Sequence, residues 1–371
     1  MKKIWLSSPH MGGNEQKYVQ EAFDTNWIAP LGPNVDGFER EMAKYLSISS
    51  VAALSSGTAA IHLALILAGV QQNDYVLCQS FTFSASANPV LYQGAIPIFI
   101  DSERETWNIC PVLLRDAIAD CHKKKIYPKA LIAVHLYGMP SQIIEIKRIC
   151  DEFGIVLIED AAEALGSSIN DKKLGTYGHF GVFSFNGNKI ITTSGGGALV
   201  SDSKEYVDYA KFLATQARDD APHYQHSQIG YNYRMSNLCA GVGRGQLEVL
   251  QERIAQRRRN YYYYQESLKE YKIFFLQEPK GFFSNRWLSC VLFESFEVRE
   301  QVRMGLIKEN IESRPLWKPM HLQPVFYQTP NYVNGVSENL FNTGLCLPSG
   351  SNLIVEELER IVEVIKKIIY H

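Results

Sequence analysis

Lys189 stands in Phe183-Ser184-Phe185-Asn186-Gly187-Asn188-Lys189-Ile190-Ile191-Thr192-Thr193-Ser194-Gly195-Gly196-Gly197, a lone lysine among aromatic, aliphatic and glycine residues. Apolar surroundings strip hydration from a lysine and favour its neutral amine. A neutral amine attacks a carbonyl and forms a Schiff base. The alternative is a lysine that snorkels out of a strand end and keeps its charge in water.

A second segment favours the chemistry. Ile155-Val156-Leu157-Ile158 is a short, β-branched, uniformly apolar run, the pattern of a buried parallel strand. It leads into Glu159-Asp160-Ala161-Ala162-Glu163. Ligand groups gather at the carboxyl ends of strands in open α/β sheets, so Asp160 stands where a site would be. A pyridoxal phosphate enzyme needs a lysine for the cofactor's aldehyde and a carboxylate that keeps its pyridine nitrogen protonated. Asp160 could instead cap a following helix.

A third segment supplies an anion site. Val51-Ala52-Ala53-Leu54 reads as a strand, Ser55-Ser56-Gly57-Thr58 as a turn, and Ala59 to Ala68 as a helix closed by Gly69. Small residues at a helix N-terminus expose backbone N–H groups at the positive end of the helix dipole. The turn has neither the Gly-x-x-x-x-Gly-Lys nor the Gly-x-Gly-x-x-Gly pattern.

These residues carry a family likeness. The chain resembles, nearly end to end, the DegT-type sugar aminotransferases, fold-type I pyridoxal phosphate enzymes that act on nucleotide-linked keto-sugars. The likeness lies in Ser55 to Ala60, Ser80-Phe81-Thr82-Phe83, His135-Leu136-Tyr137-Gly138, Glu159 to Ala162, Phe183-Ser184-Phe185 with Lys189, and Gly230-Tyr231-Asn232-Tyr233-Arg234-Met235. Within the family, Asp24 to Pro33 and Asn186 to Gly197 look most like the enzymes that aminate UDP-4-keto-6-deoxy-N-acetylglucosamine at C4 on the route to bacillosamine-type sugars.

The resemblance implies roles. Lys189 is the catalytic residue that bonds the cofactor and moves the proton. Asp160 pairs with the pyridinium. Ser56, Gly57 and Thr58 hold the phosphate, with Ser184 as a further donor. Phe83 stacks on the ring, where the plain alternative is a core aromatic. Asn232 reaches the partner subunit's phosphate across a homodimer. Glu163 departs from the commoner pattern, which has glutamine near the ring hydroxyl; a carboxylate there must be protonated or turned away. Asn26, Trp27, Ile28 and Ala29, with Arg314, Trp317 and His321, are candidates for the walls of a sugar-nucleotide cleft. Aromatic rings stack on a base or sugar, and arginine suits a pyrophosphate. The alternative places Trp27 and Trp317 in the core and Arg314 on the surface.

The implied fold is fold-type I, α/β: a largely parallel, doubly wound large domain of the seven-stranded type, with a smaller C-terminal α+β domain. Tyr75 to Cys78, Ile96 to Ile100, Ala130 to Val134 and Gly197 to Ser201 read as further strands, with a helix over Ser141 to Phe153. The boundaries read as an N-terminal segment, 1–30, that contributes to the active site; a cofactor domain, 31–240; and a small domain, 241–371. One long helix is expected from Ser236 toward Tyr271, with Arg257-Arg258-Arg259 as a solvated face. Part of Tyr261 to Tyr264 is expected at an interface.

Composition agrees. A chain of 371 residues is long for one domain and buries about three-quarters of its unfolded surface. A net charge of −2 gives no general pull toward nucleic acid or an acidic membrane. The seven scattered cysteines, without Cys-x-x-Cys, suit a reducing cytoplasm. No apolar run follows Met1-Lys2-Lys3 or approaches a membrane span, so neither a signal peptide nor membrane residence is expected. His223 and His226 have a metal-like spacing without an evident third ligand, and no metal is expected. Gly-x-Ser-x-Gly is absent.

The leading expectation is therefore transfer of nitrogen from L-glutamate to a sugar ketone, C4 of a UDP-4-keto-6-deoxy-N-acetylhexosamine. The alternatives are a 3-aminotransferase acting on a dTDP- or GDP-keto-sugar, a sensor that keeps the pyridoxal phosphate pocket without turnover, and a plain nucleotide-binding α/β protein.

Overall fold

The computed structural model describes residues 2–369. Helices α1 (Glu15–Asp24) and α2 (Pro33–Leu46) precede the first strand, β1 (Ser50–Leu54). An alternating stretch follows: α3 (Gly57–Leu67), β2 (Tyr75–Gln79), α4 (Asn88–Tyr92), β3 (Ile96–Ile100), α5 (Pro111–Lys123), β4 (Ala130–Val134), α6 (Ile143–Phe153) and β5 (Val156–Asp160). Two short strands, β6 (Ser168–Ile169) and β7 (Lys172–Lys173), lead to β8 (Phe180–Ser184), β9 (Gly197–Ser201) and α7 (Lys204–Ala214). The remaining segment holds α8 (Asn237–Glu248), α9 (Leu250–Ser267), β10 (Phe274–Phe275), β11 (Phe282–Phe283), β12 (Ser289–Leu292) and α10 (Phe296–Lys308). It closes with β13 (Arg314–Pro315), β14 (Asn331–Tyr332), α11 (Val336–Thr343), β15 (Gly344–Leu347) and α12 (Val355–Ile369).

The main sheet runs β1-β9-β8-β5-β4-β2-β3-β14. Only β9 opposes its neighbours' direction. Seven strands are of the expected type; the two-residue β14, far along the chain, adds an eighth beside β3, with Asn331 opposite Phe99. Strand residues alternate between two cores, as a sheet covered on both faces requires. Val51 and Ala53 of β1 pack with α2, α5 and α6, whereas Ala52 and Leu54 pack with α3 and α7. An antiparallel sheet, β10-β12-β15-β13, packs in a separate cluster with α9, α10 and α12.

Register places the site. Gly197 stands opposite Leu54 on one side and Ser184 on the other, so the start of β9 lies beside the ends of β1 and β8. Asp160 pairs with Val182 and Val134, at the same edge. The segment 185–196 must turn back over that edge, and it carries Lys189.

Two expectations need correction. The helix from Ser236 is two helices, broken at Val249 (φ −104°, ψ 7°). The first, with Gly241, Gly243 and Gly245, packs closely on the N-terminal segment and the lysine loop. An ideal Cβ would fall 2.9 Å from Asn34 Nδ2, 2.7 Å from Thr193 Cγ2 and 2.6 Å from Glu15 N, respectively. The second helix does not present Arg257-Arg258-Arg259 uniformly to water. Arg257 is 1% exposed, Arg258 pairs with Glu278, and Arg259 alone is exposed. Tyr261 and Tyr264, three residues apart, are buried, and their hydroxyls donate to the carbonyls of Leu276 (2.6 Å) and Pro348 (2.8 Å). A helix buries one stripe, and these tyrosines lie on it.

Candidate active site

A cavity of about 340 Å³ opens at this sheet edge, lined among others by Ser56, Gly57, Thr58, Phe83, Asp160, Glu163, Ser184 and Lys189. These eight residues, singled out in the sequence and drawn from four separate segments, therefore meet in one place.

The floor is the start of α3. Ser56 is its N-cap, and the hydroxyl accepts from Ala59 N at 3.0 Å. The N–H groups of Gly57 and Thr58 have no acceptor among the described residues. Two free donors at a helix N-terminus attract an anion. Glycine is required twice for this approach. A Cβ on Gly57 would meet Ser184 Cβ at 3.1 Å, and one on Gly197 would overlap the Ser56 carbonyl carbon and the Gly57 nitrogen.

Asp160 ends β5 and is 4% exposed. No helix follows it, so it is not an N-cap. Its Oδ1 accepts from Ala162 N at 3.1 Å, and its Oδ2 accepts from Ser86 Oγ at 2.6 Å, with Thr82 Oγ1 2.8 Å beyond. These donors fix the carboxylate toward the cavity.

Lys189 lies in the loop after β8, not at a strand end, and its side chain is only 12% exposed. Its surroundings are not purely apolar. Nζ donates to Glu163 Oε1 at 3.2 Å and sits 4.3 Å from the centroid of the Trp287 ring. Both contacts hold a cation in place. Glu163 accepts a second bond at Oε2 from Tyr137 N, at 2.7 Å. Burial pushes the Glu163 carboxyl above its ordinary value, against the opposing pull of Lys189. Glu163 thus points at the lysine and into the cavity.

Phe83 is not a core aromatic; that place belongs to Phe81. Phe83 is 56% exposed, with its ring 5.4 Å from Trp317. Trp317 in turn approaches Tyr137 at 5.2 Å, and its backbone N–H donates to Tyr137 Oη at 2.9 Å. These rings wall the mouth. Beyond them a second hollow of about 520 Å³ shares Phe83, Asn188, Trp287 and Trp317 with the first and adds Arg314 and Lys318. Arg314 is exposed and paired with Glu312 at 3.0 Å.

Other sequence candidates stand elsewhere. His321 binds Ser80 Oγ (2.6 Å) and Glu338 (3.3 Å), and it lines neither hollow. Asn26, Trp27, Ile28 and Ala29 form an exposed run outside both; Asn237 anchors it through the carbonyls of Trp27 (2.7 Å) and Ala29 (3.0 Å). Asn232 is exposed and outside the cavity. His226 bonds the Gln216 carbonyl, and no group of three or more His, Cys, Asp or Glu among the described residues is set to hold a metal. All seven cysteines are free, and no described helix is long and apolar enough to cross a membrane.

Sequence reasoning missed Ser86, Thr82 and Trp287. Ser86 carries no distinctive pattern, and Thr82, though inside Ser80-Phe81-Thr82-Phe83, drew no role of its own. Trp287 lies about a hundred residues from the lysine it underlies, and only its aromatic type hinted at a role.

A family profile described as the DegT/DnrJ/EryC1/StrS aminotransferase family matches residues 9–366. EpsN of Bacillus subtilis (strain 168), assigned as a pyridoxal phosphate-dependent aminotransferase, is 51% identical over 369 residues, covering 98% of this chain and 95% of EpsN. A GDP-perosamine synthase of Vibrio cholerae is 36% identical over 366 residues, 98% of each chain. The crystal structure of a DegT DnrJ EryC1 StrS aminotransferase from Brucella abortus superposes with a TM-score of 0.91 at 28% identity, covering 96% of each chain.

Proposed function

This chain belongs to the DegT/DnrJ/EryC1/StrS aminotransferase family, and from that premise we propose that it aminates a nucleotide-linked keto-sugar with pyridoxal 5'-phosphate as cofactor. The proposed donor is L-glutamate. The proposed acceptor is C4 of a UDP-4-keto-6-deoxy-N-acetylhexosamine, and the product a UDP-4-amino-4,6-dideoxy sugar for surface glycan or glycoprotein biosynthesis. The working unit is proposed as a cytoplasmic homodimer with shared sites.

One observation carries the reading: a half-buried lysine, a buried carboxylate fixed by a serine, and two free N–H groups at a helix start line a single cavity. Those groups fit the cofactor's aldehyde, ring nitrogen and phosphate. When bound, the cofactor supplies a carbon that takes up nitrogen and a protonated ring that draws electrons from the reacting carbon. The protein's own share follows from its geometry. Lys189 Nζ holds the cofactor and moves the substrate proton. Asp160, braced by Ser86, keeps a proton on the ring nitrogen. Gly57 and Thr58 hold the phosphate, with Ser184 beside them. Phe83 and Trp317 exclude water from the mouth. Asn232 serves the partner's site. Arg314, in the adjoining hollow, binds the pyrophosphate, and Asn26 to Ala29 cover a substrate in the partner.

The sequence of Asp24 to Pro33 and Asn186 to Gly197 supports the UDP-linked acceptor. A second acceptor, a GDP-linked 4-keto-sugar, is favoured by the 36% identity to a GDP-perosamine synthase along the chain. The test is incubation of the purified protein, supplied with pyridoxal phosphate, with L-glutamate and a panel of UDP-, GDP- and dTDP-linked 3- and 4-keto-sugars. Mass spectrometry reads exchange of the ketone oxygen for an amino group, and NMR reads its position. Amination of the UDP-4-keto-sugar supports the first reading, amination of the GDP-linked sugar alone selects the second, and exclusive C3 amination overturns both.

A further inference from the structure

Arg257 is a buried cation that the proposed chemistry leaves unused. It lies on α9, is 1% exposed, and forms no ion pair with any carboxylate among the described residues. A guanidinium without a counter-ion is costly to bury and needs compensation. Burial, with Arg253 one turn away, pushes its pKa down to about 9.

The compensation comes from the back of the lysine loop. Arg257 Nη1 donates to the Trp287 carbonyl at 2.6 Å. Nη2 donates to Ser7 Oγ at 3.0 Å and, more weakly, to the Lys189 carbonyl at 3.4 Å. Ser7 Oγ donates onward to the Asn188 carbonyl at 2.7 Å, and Trp287 Nε1 donates to that same carbonyl, also at 2.7 Å. One fork thus gathers three segments remote in sequence: the N-terminal segment, the lysine loop and the stretch before β12. Both carbonyls flanking the Lys189 nitrogen and α-carbon are held, Asn188's through Ser7 and Lys189's own directly. The tryptophan whose ring lies 4.3 Å from Lys189 Nζ is pinned by its own carbonyl. The planar guanidinium suits such forked donation, which a lysine ammonium does not reproduce.

We propose that Arg257 is a positioning residue that sets the backbone of Lys189 and the face of Trp287 against each other, so that Nζ is aimed into the cavity. The inference rests on the reading that Lys189 bonds the cofactor. It assigns α9 a part in the chemistry without any contact to substrate.

The test compares Arg257→Met, Arg257→Lys and Ser7→Ala with the parent, each well below its melting temperature. The first readout is the rate at which added pyridoxal phosphate becomes attached to cofactor-free protein, followed by absorbance. The second is the split between kcat and KM for the aminated sugar. Loss of a hydrogen bond to a charged group, roughly 1.5–3 kcal/mol, corresponds to a fall of at least about tenfold. Arg257→Met should slow both attachment and kcat by that factor, with KM changed by less than about threefold. Arg257→Lys should recover part of the loss. Ser7→Ala should slow attachment in the same direction by a smaller factor.

Wild-type attachment rate and kcat in a folded Arg257→Met protein, with only the melting temperature lowered, overturn the proposal. Should Arg257→Met fail to fold, Ser7→Ala decides, since it removes one hydroxyl from a half-buried site. An unchanged attachment rate there overturns the proposal as well. Failure of the parent protein to attach the cofactor at Lys189 refutes the underlying reading instead.

Discussion

Gly197→Ala tests the anion site at the start of α3 with a single methyl group. No positive φ is recorded for Gly197, so alanine adopts its backbone conformation without strain. The added carbon instead overlaps the Ser56 carbonyl carbon and the Gly57 nitrogen. These are backbone atoms at the mouth of a helix and have no rotamer to change. Ordinary contact returns only after the helix start retreats by roughly 1 Å. Overpacking of this kind costs about 1–3 kcal/mol of stability, which urea unfolding of the cofactor-free protein reads directly. The same retreat displaces the free N–H groups of Gly57 and Thr58. Loss of one hydrogen bond to a charged group, about 1.5–3 kcal/mol, weakens affinity for pyridoxal phosphate by roughly 10- to 100-fold. Pyridoxal, which lacks the phosphate, supplies the control. Titrated by absorbance, it should lose less than about threefold in affinity, because Lys189 and Asp160 stand on other elements. Equal losses for the two compounds would refute the placement of the phosphate at this helix.

Asp160→Asn keeps the shape and the bond from Ala162 but removes the charge; kcat should fall at least about 100-fold, roughly 2.7 kcal/mol, and near wild-type turnover in steady-state assays would leave Asp160 a merely structural acceptor. Glu163 has its carboxyl raised by burial, so the folded state binds that proton more tightly than the unfolded chain, and the contribution to stability is full at low pH and lost as pH rises from about 4.5 through the folded value. Glu163→Gln should therefore flatten the pH dependence of urea stability above about pH 4.5 in cofactor-free protein; an unchanged slope would place the titration elsewhere. Mixing inactive Lys189→Ala chains with inactive Asn232→Ala chains should restore part of the activity, because one site of the mixed dimer draws both residues from unmutated positions; proven mixed dimers without recovery would mean that each site is built within one chain.

The sheet was legible because its strands are short apolar runs with turn signals at both ends, and the residues at their carboxyl ends could be named from position alone. Asp160 is of this kind, Gly57 opens the helix after β1, and Lys189 stood out as a lone lysine in the loop after β8. Glu163 drew notice as a departure from a family pattern, and its contact with Lys189 emerged only in three dimensions. Ser86 could not be read, since its role depends on a 2.6 Å bond to Asp160 and serine is common in any loop. The break at Val249 escaped because the apolar spacing continues across it, while packing of Gly241, Gly243 and Gly245 fixes the direction of the first helix. Arg257 looked like surface charge because its neighbours Arg258 and Arg259 are charged too. Helix geometry, which turns successive residues by about 100°, buries one of the three.

The central claim is that Lys189 bonds the cofactor, and chemical trapping tests it most directly. The purified holoprotein is reduced with borohydride, digested, and mapped by mass spectrometry for the phosphopyridoxyl adduct. The account predicts one modified peptide, containing Asn186 to Thr193, with the adduct on Lys189 and none in Lys189→Ala. An adduct on any other lysine, or an unchanged adduct in Lys189→Ala, would contradict it.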